Sequence, residues 1–280
     1  MDTNLRLAIL SAIKAGEEIL KVYEEEDTEV EFKSDNSPLT KADKNAHLAI
    51  VEGLKKSGLP VLSEEGKTIP YHDRSAWELF WLIDPLDGTK EFIKKNGEFT
   101  VNIALIALDT PVLGVVYVPV TGVLYFASEN TGSYKIQIAR DFNEADFGSI
   151  TDKAESLTNS EYPTIYTIVA SRSHSTKETE AFVSQKEEEL GSVDLISAGS
   201  SLKLCLVAER KAHIYPRLAP TMEWDTAAGH AVAHYSDCKV YDYKTGSELK
   251  YNKENMLNPW FVVAGNIKKP DLTEEIKQTV

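Results

Sequence analysis

Carboxylates follow apolar segments, or open a helical pattern, at five positions: Glu64, Glu65, Asp84, Asp87 and Asp225. Two acids three residues apart at a turn, as in Asp84-Pro-Leu-Asp87, can direct their oxygens to one point. The carbonyl oxygen of Leu86 between them can point the same way. Oxygen ligands of this kind suit hard cations such as Mg²⁺. The pattern therefore indicates a site for divalent cations.

The two residues after this acidic pair are suited to a phosphate group. Gly88 lets the backbone approach a ligand closely, and Thr89 is expected to begin a helix. A helix N-terminus presents free N–H groups and the positive end of the helix dipole, both of which favour phosphate. A metal site and a phosphate site would then lie side by side.

Each of these features also has an ordinary structural explanation. An Asp-Gly pair after a strand usually forms a turn, and a Glu-Glu pair is usually solvated surface. A Trp-Asp pair at a helix start is often an N-cap. Taken singly, each feature is better explained in this way. Together, the carboxylates and Thr89 favour a metal site.

The elements that must position these residues can be predicted from the spacing of apolar side chains. Three- and four-residue spacing predicts helices over 5–23, 41–56, 177–189, 201–209 and 225–234. Apolar or alternating runs predict strands over 28–33, 61–62, 79–83, 164–171, 193–196, 212–215 and 239–241, and a meander of strands over 99–138. Thr40 and Asp43 have the spacing of a capping box at the start of the second helix.

The polar segment 140–161 is expected to form a long connection and a domain junction. It would separate an α+β domain over 1–160, with most of the metal ligands, from an α/β domain over 161–280. The second domain would supply Asp225 and residues that bind substrate. The alternation of helices and strands after 161 favours a layered arrangement.

Composition limits the function further. The chain has 280 residues, of which 42% are hydrophobic and 26% charged, as in globular proteins. A net charge of −14 argues against nucleic acid as a partner, so a small anionic substrate would need local countercharge. No apolar run approaches the roughly 18 residues of a transmembrane helix, and the start of the chain lacks the pattern of a secretory signal. With two isolated cysteines, these features predict a cytoplasmic protein, with peripheral contact with the inner membrane and the oligomeric state left open.

Four sequence blocks resemble those of the inositol monophosphatase family. The stretch Trp81–Thr89 (WLIDPLDGT) resembles the central signature of the family, and Glu223–Ala231 (EWDTAAGHA) resembles the second. Ser63-Glu64-Glu65 and Ser37–Asp43 match two further blocks in the expected order. The resemblance implies a layered αβαβα sandwich, of mixed α+β and α/β type, with the site between its two halves.

The resemblance also implies a set of metal ligands. Glu64, Asp84 and the carbonyl of Leu86 would hold one Mg²⁺, and Asp84, Asp87 and Asp225 would hold a second. A third, weaker ion is expected near Glu64, so each site would take two or three Mg²⁺ ions. Two cations about 3.5–4 Å apart can lower the pKa of the attacking water and neutralise a phosphoryl group.

Catalysis is expected to depend on Thr89, Asp43 and Glu64. Thr89, hydrogen-bonded to Asp43, would help to deprotonate and orient the attacking water. The implied reaction is the Mg²⁺-dependent hydrolysis of a phosphomonoester.

Several charged or polar stretches resemble those of the 3′(2′),5′-bisphosphate nucleotidases within this family. Lys90, Lys203 and Arg217 would bind a second phosphate, although each could also be an ordinary surface charge. The full set expected to contact substrate is Glu64, Leu86, Asp87, Gly88, Thr89, Lys90, His174, Gly199, Ser200, Ser201, Lys203, Arg217 and Asp225. The implied substrate is adenosine 3′,5′-bisphosphate, with 3′-phosphoadenylyl sulfate as a second one. A broad inositol or sugar phosphatase, and a non-catalytic nucleotide or cation sensor, are the alternatives.

One further pair of residues has the spacing of metal ligands. His230 and His234 lie four residues apart on the last predicted helix, as in zinc sites. Position 231 is Ala rather than Glu, and the sequence indicates no third ligand. Helix packing or surface exposure is therefore the favoured explanation for this pair.

Overall fold

A computed structural model describes residues 2–24, 30–32, 38–140, 142, 144–171 and 176–265. Its helices are α1 (Thr3–Tyr23), α2 (Lys41–Leu54), α3 (Tyr71–Arg74), α4 (Thr89–Ile93), α5 (Ile150–Lys153), α6 (Lys177–Leu190), α7 (Leu202–Ala208) and α8 (Glu223–His234). Its strands are β1 (Val30–Phe32), β2 (Pro38–Thr40), β3 (Val61–Ser63), β4 (Leu79–Asp87), β5 (Thr100–Ala107), β6 (Thr110–Val118), β7 (Val123–Ser128), β8 (Gly132–Gln137), β9 (Glu155–Ser156), β10 (Tyr166–Ser171), β11 (Val193–Ala198), β12 (Ile214–Arg217), β13 (Cys238–Asp242) and β14 (Phe261–Gly265).

Two large sheets organise these strands. The first has seven strands in the order β3-β4-β5-β6-β7-β8-β9, and only the β3–β4 pair in it is parallel. The second has five strands in the order β11-β10-β12-β14-β13, in which β11, β10 and β12 are parallel. Strand β14 runs antiparallel to both of its neighbours. Strands β1 and β2 form a separate antiparallel pair.

Alternation along β4 shows how the layers form. Trp81 and Ile83 pack in one apolar core with α1 and α2, whereas Phe80 and Leu82 pack in a second core on the opposite face. This follows from the two-residue period of a strand. The second core also contains residues of α7, α8 and the five-stranded sheet. Phe182 of α6 packs on the far face of that sheet. The order of layers is therefore αβαβα, which confirms the predicted fold class.

The central layer is packed closely against the seven-stranded sheet. A Cβ atom at Gly114 of β6 would lie 2.3 Å from the carbonyl oxygen of Ala228 and 2.7 Å from Cβ of Ala231. Glycine at this position lets α8 approach the sheet backbone directly. The position of α8 matters because its first turn carries Asp225.

Two predictions about elements need correction, and one strand of the second sheet was missed. The segment 140–161 is not simply a connection, because short helical turns and β9 form there and Phe147, Ile150 and Leu157 are buried. Helix α2 ends at Leu54, and a 3₁₀ turn over Lys55–Ser57 replaces its last predicted residues. Strand β14 was not predicted at all. The strand predicted over 28–33 is described only at 30–32, and the boundary between domains at residue 160 stays a prediction.

Candidate active site

The pairing of β3 with β4 places the first two acidic segments side by side. Ser63 is the parallel partner of Ile83, so Glu64 and Asp84 follow at the same edge of the sheet. The backbone N–H of Glu64 donates to the carbonyl oxygen of Ile83 at 3.2 Å, which holds the two chains together at this point. The sequence places these acids 20 positions apart, and only the parallel register makes them neighbours.

The segment from Asp84 to Asp87 is irregular backbone at the end of β4. Its pairing with β5 shifts register between these two residues, and the N–H of Leu86 donates to Oδ1 of Asp84 at 3.1 Å. Asn102 of β5 pairs with Asp84 and donates from Nδ2 to Oδ2 of Asp87 at 3.4 Å. Asn102 was not predicted as a site residue: a polar amide within an apolar strand is visible in the sequence, but only the register of β5 against β4 shows that it lies beside Asp87.

Asp225 reaches the same region from the first turn of α8. Its Oδ2 accepts the backbone N–H of Met222 at 2.9 Å, which satisfies one free donor of the helix start. The side chain of Asn258 donates to the carbonyl oxygen of Met222 at 2.8 Å and fixes the approach to the helix. Asp225 is therefore oriented by contacts that do not involve the other carboxylates.

Glu64, Asp84, Asp87 and Asp225, with Asp43 of α2, lie within electrostatic reach of one another and are called the acidic cluster. Burial raises the pKa of Asp84 well above its ordinary value, and the charges of Glu64, Asp87, Asp225 and Asp43 raise it further. Like charges held together in a buried place are costly unless cations balance them. The cluster contains several carboxylate oxygens within electrostatic reach of one another, and oxygens of this kind are the ligands that hard divalent cations prefer.

Two other members of the cluster behave in the same way. Burial, followed by the charge of Asp87, raises the pKa of Asp225 well above its ordinary value. Burial also raises the pKa of Asp87 to about 6, although the ammonium of Lys203 acts in the opposite direction. The carboxylates are thus poorly balanced by the protein itself.

A cavity of about 400 Å³ lies beside this cluster. Most of the residues expected to contact substrate line it: Glu64, Asp87, Gly88, Thr89, Lys90, Gly199, Ser200, Ser201, Lys203, Arg217 and Asp225. Asp84 and Leu86 are buried and are not among its lining residues. His174 lies outside the described residues. Tyr215, Thr221 and Glu91 also line the cavity and were not predicted.

Gly88 and Ser200 join the two halves of the site. Gly88 has a φ of +97°, and a Cβ atom there would lie 2.1 Å from Oγ of Ser200. That hydroxyl lies 2.8 Å from the carbonyl oxygens of Asp87 and Glu98 and can donate to either. The N–H of Gly199 donates to Oε2 of Glu98 at 2.9 Å. These contacts hold the turn before α7 against the end of β4.

Ser201 and Lys203 both form hydrogen bonds within the protein. Oγ of Ser201 donates to Oδ1 of Asn102 at 2.7 Å, which ties α7 to β5. Nζ of Lys203 donates to the carbonyl oxygens of Ala198, at 3.4 Å, and Ser200. Burial lowers the pKa of Lys203 to about 8, against the opposing effect of the Asp87 carboxylate. Lys203 therefore supplies a buried positive charge next to the acidic cluster.

Arg217 supplies a second positive charge at the end of β12. Its Nη2 donates to the carbonyl oxygen of Pro220 at 3.0 Å, and its buried Nε has no hydrogen-bond partner among the described residues. The guanidinium opposes the rise in the pKa of Asp225 that burial causes, so it lies within electrostatic reach of the cluster. The structure thus brings together the predicted acidic and basic residues, while their roles toward metal and substrate stay predictions.

Comparison with known proteins agrees with this architecture. The sequence profile of the Inositol monophosphatase family matches residues 1–280. The 3′(2′),5′-bisphosphate nucleotidase CysQ of Escherichia coli (strain K12) is 44% identical over 257 residues, which are 90% of this chain and 96% of that protein.

Solved structures extend the likeness to the fold. The crystal structure of CysQ from Bacteroides thetaiotaomicron, described as a bacterial member of the inositol monophosphatase family, superposes with a TM-score of 0.87. It is 50% identical, and the match covers 95% of this chain and 98% of that one. The extragenic suppressor protein suhB from Bartonella henselae, at 20% identity and a TM-score of 0.73 over 98% of each chain, shares the fold. The chain described here therefore belongs to the inositol monophosphatase family.

Proposed function

We propose that this protein is a Mg²⁺-dependent 3′(2′),5′-bisphosphate nucleotidase, which hydrolyses the 3′-phosphate of adenosine 3′,5′-bisphosphate to give AMP and phosphate. The observation that carries the proposal is that a buried acidic cluster lies beside a cavity, and that the basic side chains of Lys203 and Arg217 line the same cavity. A substrate with two phosphates needs both features. The nucleotidase name of the 44% identical E. coli relative supports the same substrate class.

Divalent cations would balance the negative charge of the acidic cluster. Asp84, Asp87 and Asp225 each have a raised pKa, because burial and their mutual repulsion disfavour the charged forms. We assign Glu64, Asp84 and the carbonyl of Leu86 to one Mg²⁺, and Asp84, Asp87 and Asp225 to a second. When bound, such ions neutralise phosphoryl oxygens and lower the pKa of the attacking water. A third ion near Glu64 is part of the same proposal.

Thr89 and Asp43 are assigned to the attacking water. Thr89 lines the cavity next to Gly88, and Asp43 is buried in the first turn of α2, where its charge acts on Asp84. In the proposed mechanism the Thr89 hydroxyl accepts a proton from water and passes its own proton to a carboxylate oxygen of Asp43. The transfer makes the water a stronger nucleophile, and its hydrogen bond to Thr89 orients it; positioning of that kind supplies much of the rate in phosphate ester hydrolysis.

The second phosphate is assigned to the basic side of the cavity. Arg217 carries a buried Nε without a partner among the described residues, and a guanidinium matches phosphate geometry well. Lys90 is exposed at the rim of the cavity, and its flexible side chain would let the ammonium form an ion pair with the phosphate. Lys203 is buried and bonded to backbone carbonyls, so its charge would act mainly through the field it adds to the cavity.

A substrate panel tests the proposal. The value of kcat/KM should be higher for adenosine 3′,5′-bisphosphate than for inositol 1-phosphate, and turnover should require Mg²⁺. Ca²⁺ should inhibit, because its larger and looser coordination suits these ligands poorly for catalysis. A preference for the inositol ester would instead indicate an inositol or sugar phosphatase. Nucleotide binding without phosphate release would indicate a sensor.

A pair of matched variants tests the basic side of the cavity. Lys90→Ala should raise KM for the bisphosphate nucleotide, whereas Lys94→Ala, an exposed lysine on the next turn outside the cavity, should leave it unchanged. Neither variant should alter KM for inositol 1-phosphate, which carries one phosphate. Equal effects of the two substitutions would argue against the assigned role of Lys90.

Three further parts of the proposal extend beyond this reaction. We propose 3′-phosphoadenylyl sulfate as a second substrate, since it shares the 3′-phosphate, and a role in sulfate assimilation follows from that choice. A cytoplasmic location, with or without contact with the inner membrane, stays a prediction. No helix in the described ranges has both the length and the apolar character needed to cross a membrane.

A further inference from the structure

A second cluster of metal-ligating side chains lies at the other end of α8. His230 and His234 are four residues apart on this helix, and Glu248 comes from the segment after β13. Nε2 of His230 lies 3.4 Å from Oε1 of Glu248, and Nδ1 of His234 lies 3.0 Å from the same oxygen. One ligand atom from each residue falls within 4.8 Å of the other two. Glu248 is a third side chain that could bind a metal ion, and the sequence did not indicate it.

This cluster is separate from the candidate active site. His230 and His234 follow Asp225 by five and nine residues on α8, and at 1.5 Å per residue their backbones lie roughly 7–14 Å from that of Asp225 along the axis. The cavity beside Asp225 is not lined by His230, His234 or Glu248. The second cluster therefore needs an explanation of its own.

We propose that His230, His234 and Glu248 form a binding site for a borderline divalent cation, of which Zn²⁺ is the representative. Zinc bonds of about 2.0–2.1 Å in a tetrahedral site place neighbouring ligand atoms roughly 3.3–3.4 Å apart. The two histidine-to-glutamate distances, 3.4 and 3.0 Å, are close to that spacing. Two imidazoles and one carboxylate favour zinc, nickel or copper over Mg²⁺, which selects oxygen ligands.

The surroundings of His230 resemble those of a metal ligand. Its Nδ1 lies 3.0 Å from the hydroxyl of Tyr251, and that hydroxyl lies 3.3 Å from Oγ1 of Thr226. When the tyrosine donates to Thr226 and accepts from Nδ1–H, Nε2 carries the lone pair and faces Glu248. Hydrogen bonds to the second nitrogen commonly orient metal-bound histidines in this way.

The third ligand is also held in place and remains accessible. Glu248 forms an isolated antiparallel bridge with Tyr241 of β13, so its backbone does not depend on the histidines. His230 is buried, while His234 and Glu248 have about a third of their side-chain surface exposed, at 30% and 34%. A cation can therefore enter from solvent, and water can complete its coordination.

The competing explanation is a hydrogen-bonded cluster that binds no metal. Nζ of Lys239 lies 3.8 Å from Oε1 of Glu248 and offers that carboxylate a positive charge. Lys239 is exposed enough to turn away on its flexible stem when a divalent cation binds. The two explanations differ in one measurable property, the stoichiometry of zinc binding.

Zinc titration of chelator-treated protein tests the proposal. The Asp84→Asn variant serves as the background, because it removes a shared ligand of the proposed active-site ions. Isothermal titration in this background should give one equivalent of zinc, and Co²⁺ in its place should give the visible absorption of a tetrahedral site. His234→Ala and Glu248→Gln should weaken zinc binding by at least about 10–100-fold. His72→Ala, an exposed histidine paired with Asp73, should not.

Thermal unfolding supplies a second measurement. Zinc at about 100 times its Kd should raise the Tm of the background protein by roughly 5 °C, and this rise should vanish in Glu248→Gln. If the substitutions disturb folding, the ring-nitrogen NMR signals of His230 and His234 in the unsubstituted protein should still shift on zinc addition. No bound zinc in the Asp84→Asn background, or unchanged affinity in both ligand variants, would overturn the proposal.

Discussion

Without divalent cations, the stability of this protein should fall as pH rises through the range in which the acidic cluster ionises. Asp87 provides the magnitude, because burial raises its pKa from an ordinary 3.8 to about 6. A carboxyl with a raised pKa in the folded state binds its proton more tightly there than in the unfolded chain. It therefore stabilises the fold at low pH, and this contribution is lost as pH rises from about 4 to above 6.

The size of the effect follows from the same values. A rise from 3.8 to about 6 corresponds to about 3 kcal/mol between the low-pH and high-pH limits. Linkage places about 2 kcal/mol of this between roughly pH 4.5 and roughly pH 7.5. Asp87→Asn should remove this part of the pH dependence. At the higher pH, Asp87→Asn should be more stable than the unsubstituted protein by about 1–2 kcal/mol. This gain is smaller than the full effect of Asp87, because the substitution also removes the attraction between Lys203 and the Asp87 carboxylate.

Urea unfolding in the presence of a chelator measures this directly. The free energy of unfolding is compared at the two pH values for the unsubstituted protein, for Asp87→Asn, and for Asp194→Asn as a control on an exposed carboxyl. The difference between the unsubstituted protein and Asp87→Asn isolates the contribution of Asp87, and Asp194→Asn should keep the pH dependence of the unsubstituted protein. Saturating Mg²⁺ should abolish the fall in stability that Asp87 causes in the unsubstituted protein between the two pH values, because bound cations keep the carboxylate ionised in the folded state.

An unchanged pH slope in Asp87→Asn would refute the reasoning. It would mean that Asp87 is balanced by Lys203 and hydrogen bonds rather than destabilised by burial. The case for a divalent cation at this position would then lose its physical basis.

Three other substitutions test the packing and the substrate side of the site. Gly114→Ala should cost about 1–3 kcal/mol in urea unfolding and weaken Mg²⁺ activation, because the added methyl lies 2.3 Å from the carbonyl oxygen of Ala228 and displaces α8. Glu223→Gln should lower Tm by roughly 10 °C, since this fully buried carboxylate accepts from Nζ of Lys253 at 2.6 Å and a broken buried pair costs about 3–5 kcal/mol. Arg217→Gln should raise KM for adenosine 3′,5′-bisphosphate by at least about tenfold, and leave KM for inositol 1-phosphate nearly unchanged, in steady-state assays.

Local signals in the sequence predicted most of the elements. The apolar spacing in α1 and α2 and the buried run in β4 depend on neighbours within a few positions. Segments governed by distant contacts were harder to predict. Strand β14 takes its place through pairing with β12 and β13, and the short elements over 144–159 are ordered by burial against the first sheet.

In the candidate site, too, some residues could be predicted from local signals and others depend on distant contacts. Acidic residues after apolar runs could be recognised from the chain alone, because metal chemistry restricts the residue types that serve it. Asn102 could not be assigned to the site, since it is the register of β5 against β4 that sets it beside Asp87. The hydrogen bonds of Ser201 to Asn102 and of Lys203 to backbone carbonyls could not be predicted from the sequence either.

By itself, the sequence determined the order of most elements, the αβαβα fold class through family resemblance, and the residue types that could serve a metal and a phosphate. Only the tertiary structure decided which of these residues are neighbours. Parallel pairing brings Glu64 to Asp84, the close approach at Gly114 sets α8 and Asp225, and the bridge at Tyr241 brings Glu248 to the two histidines. The physical reason is that register and packing depend on interactions between distant parts of the chain, which local patterns do not contain.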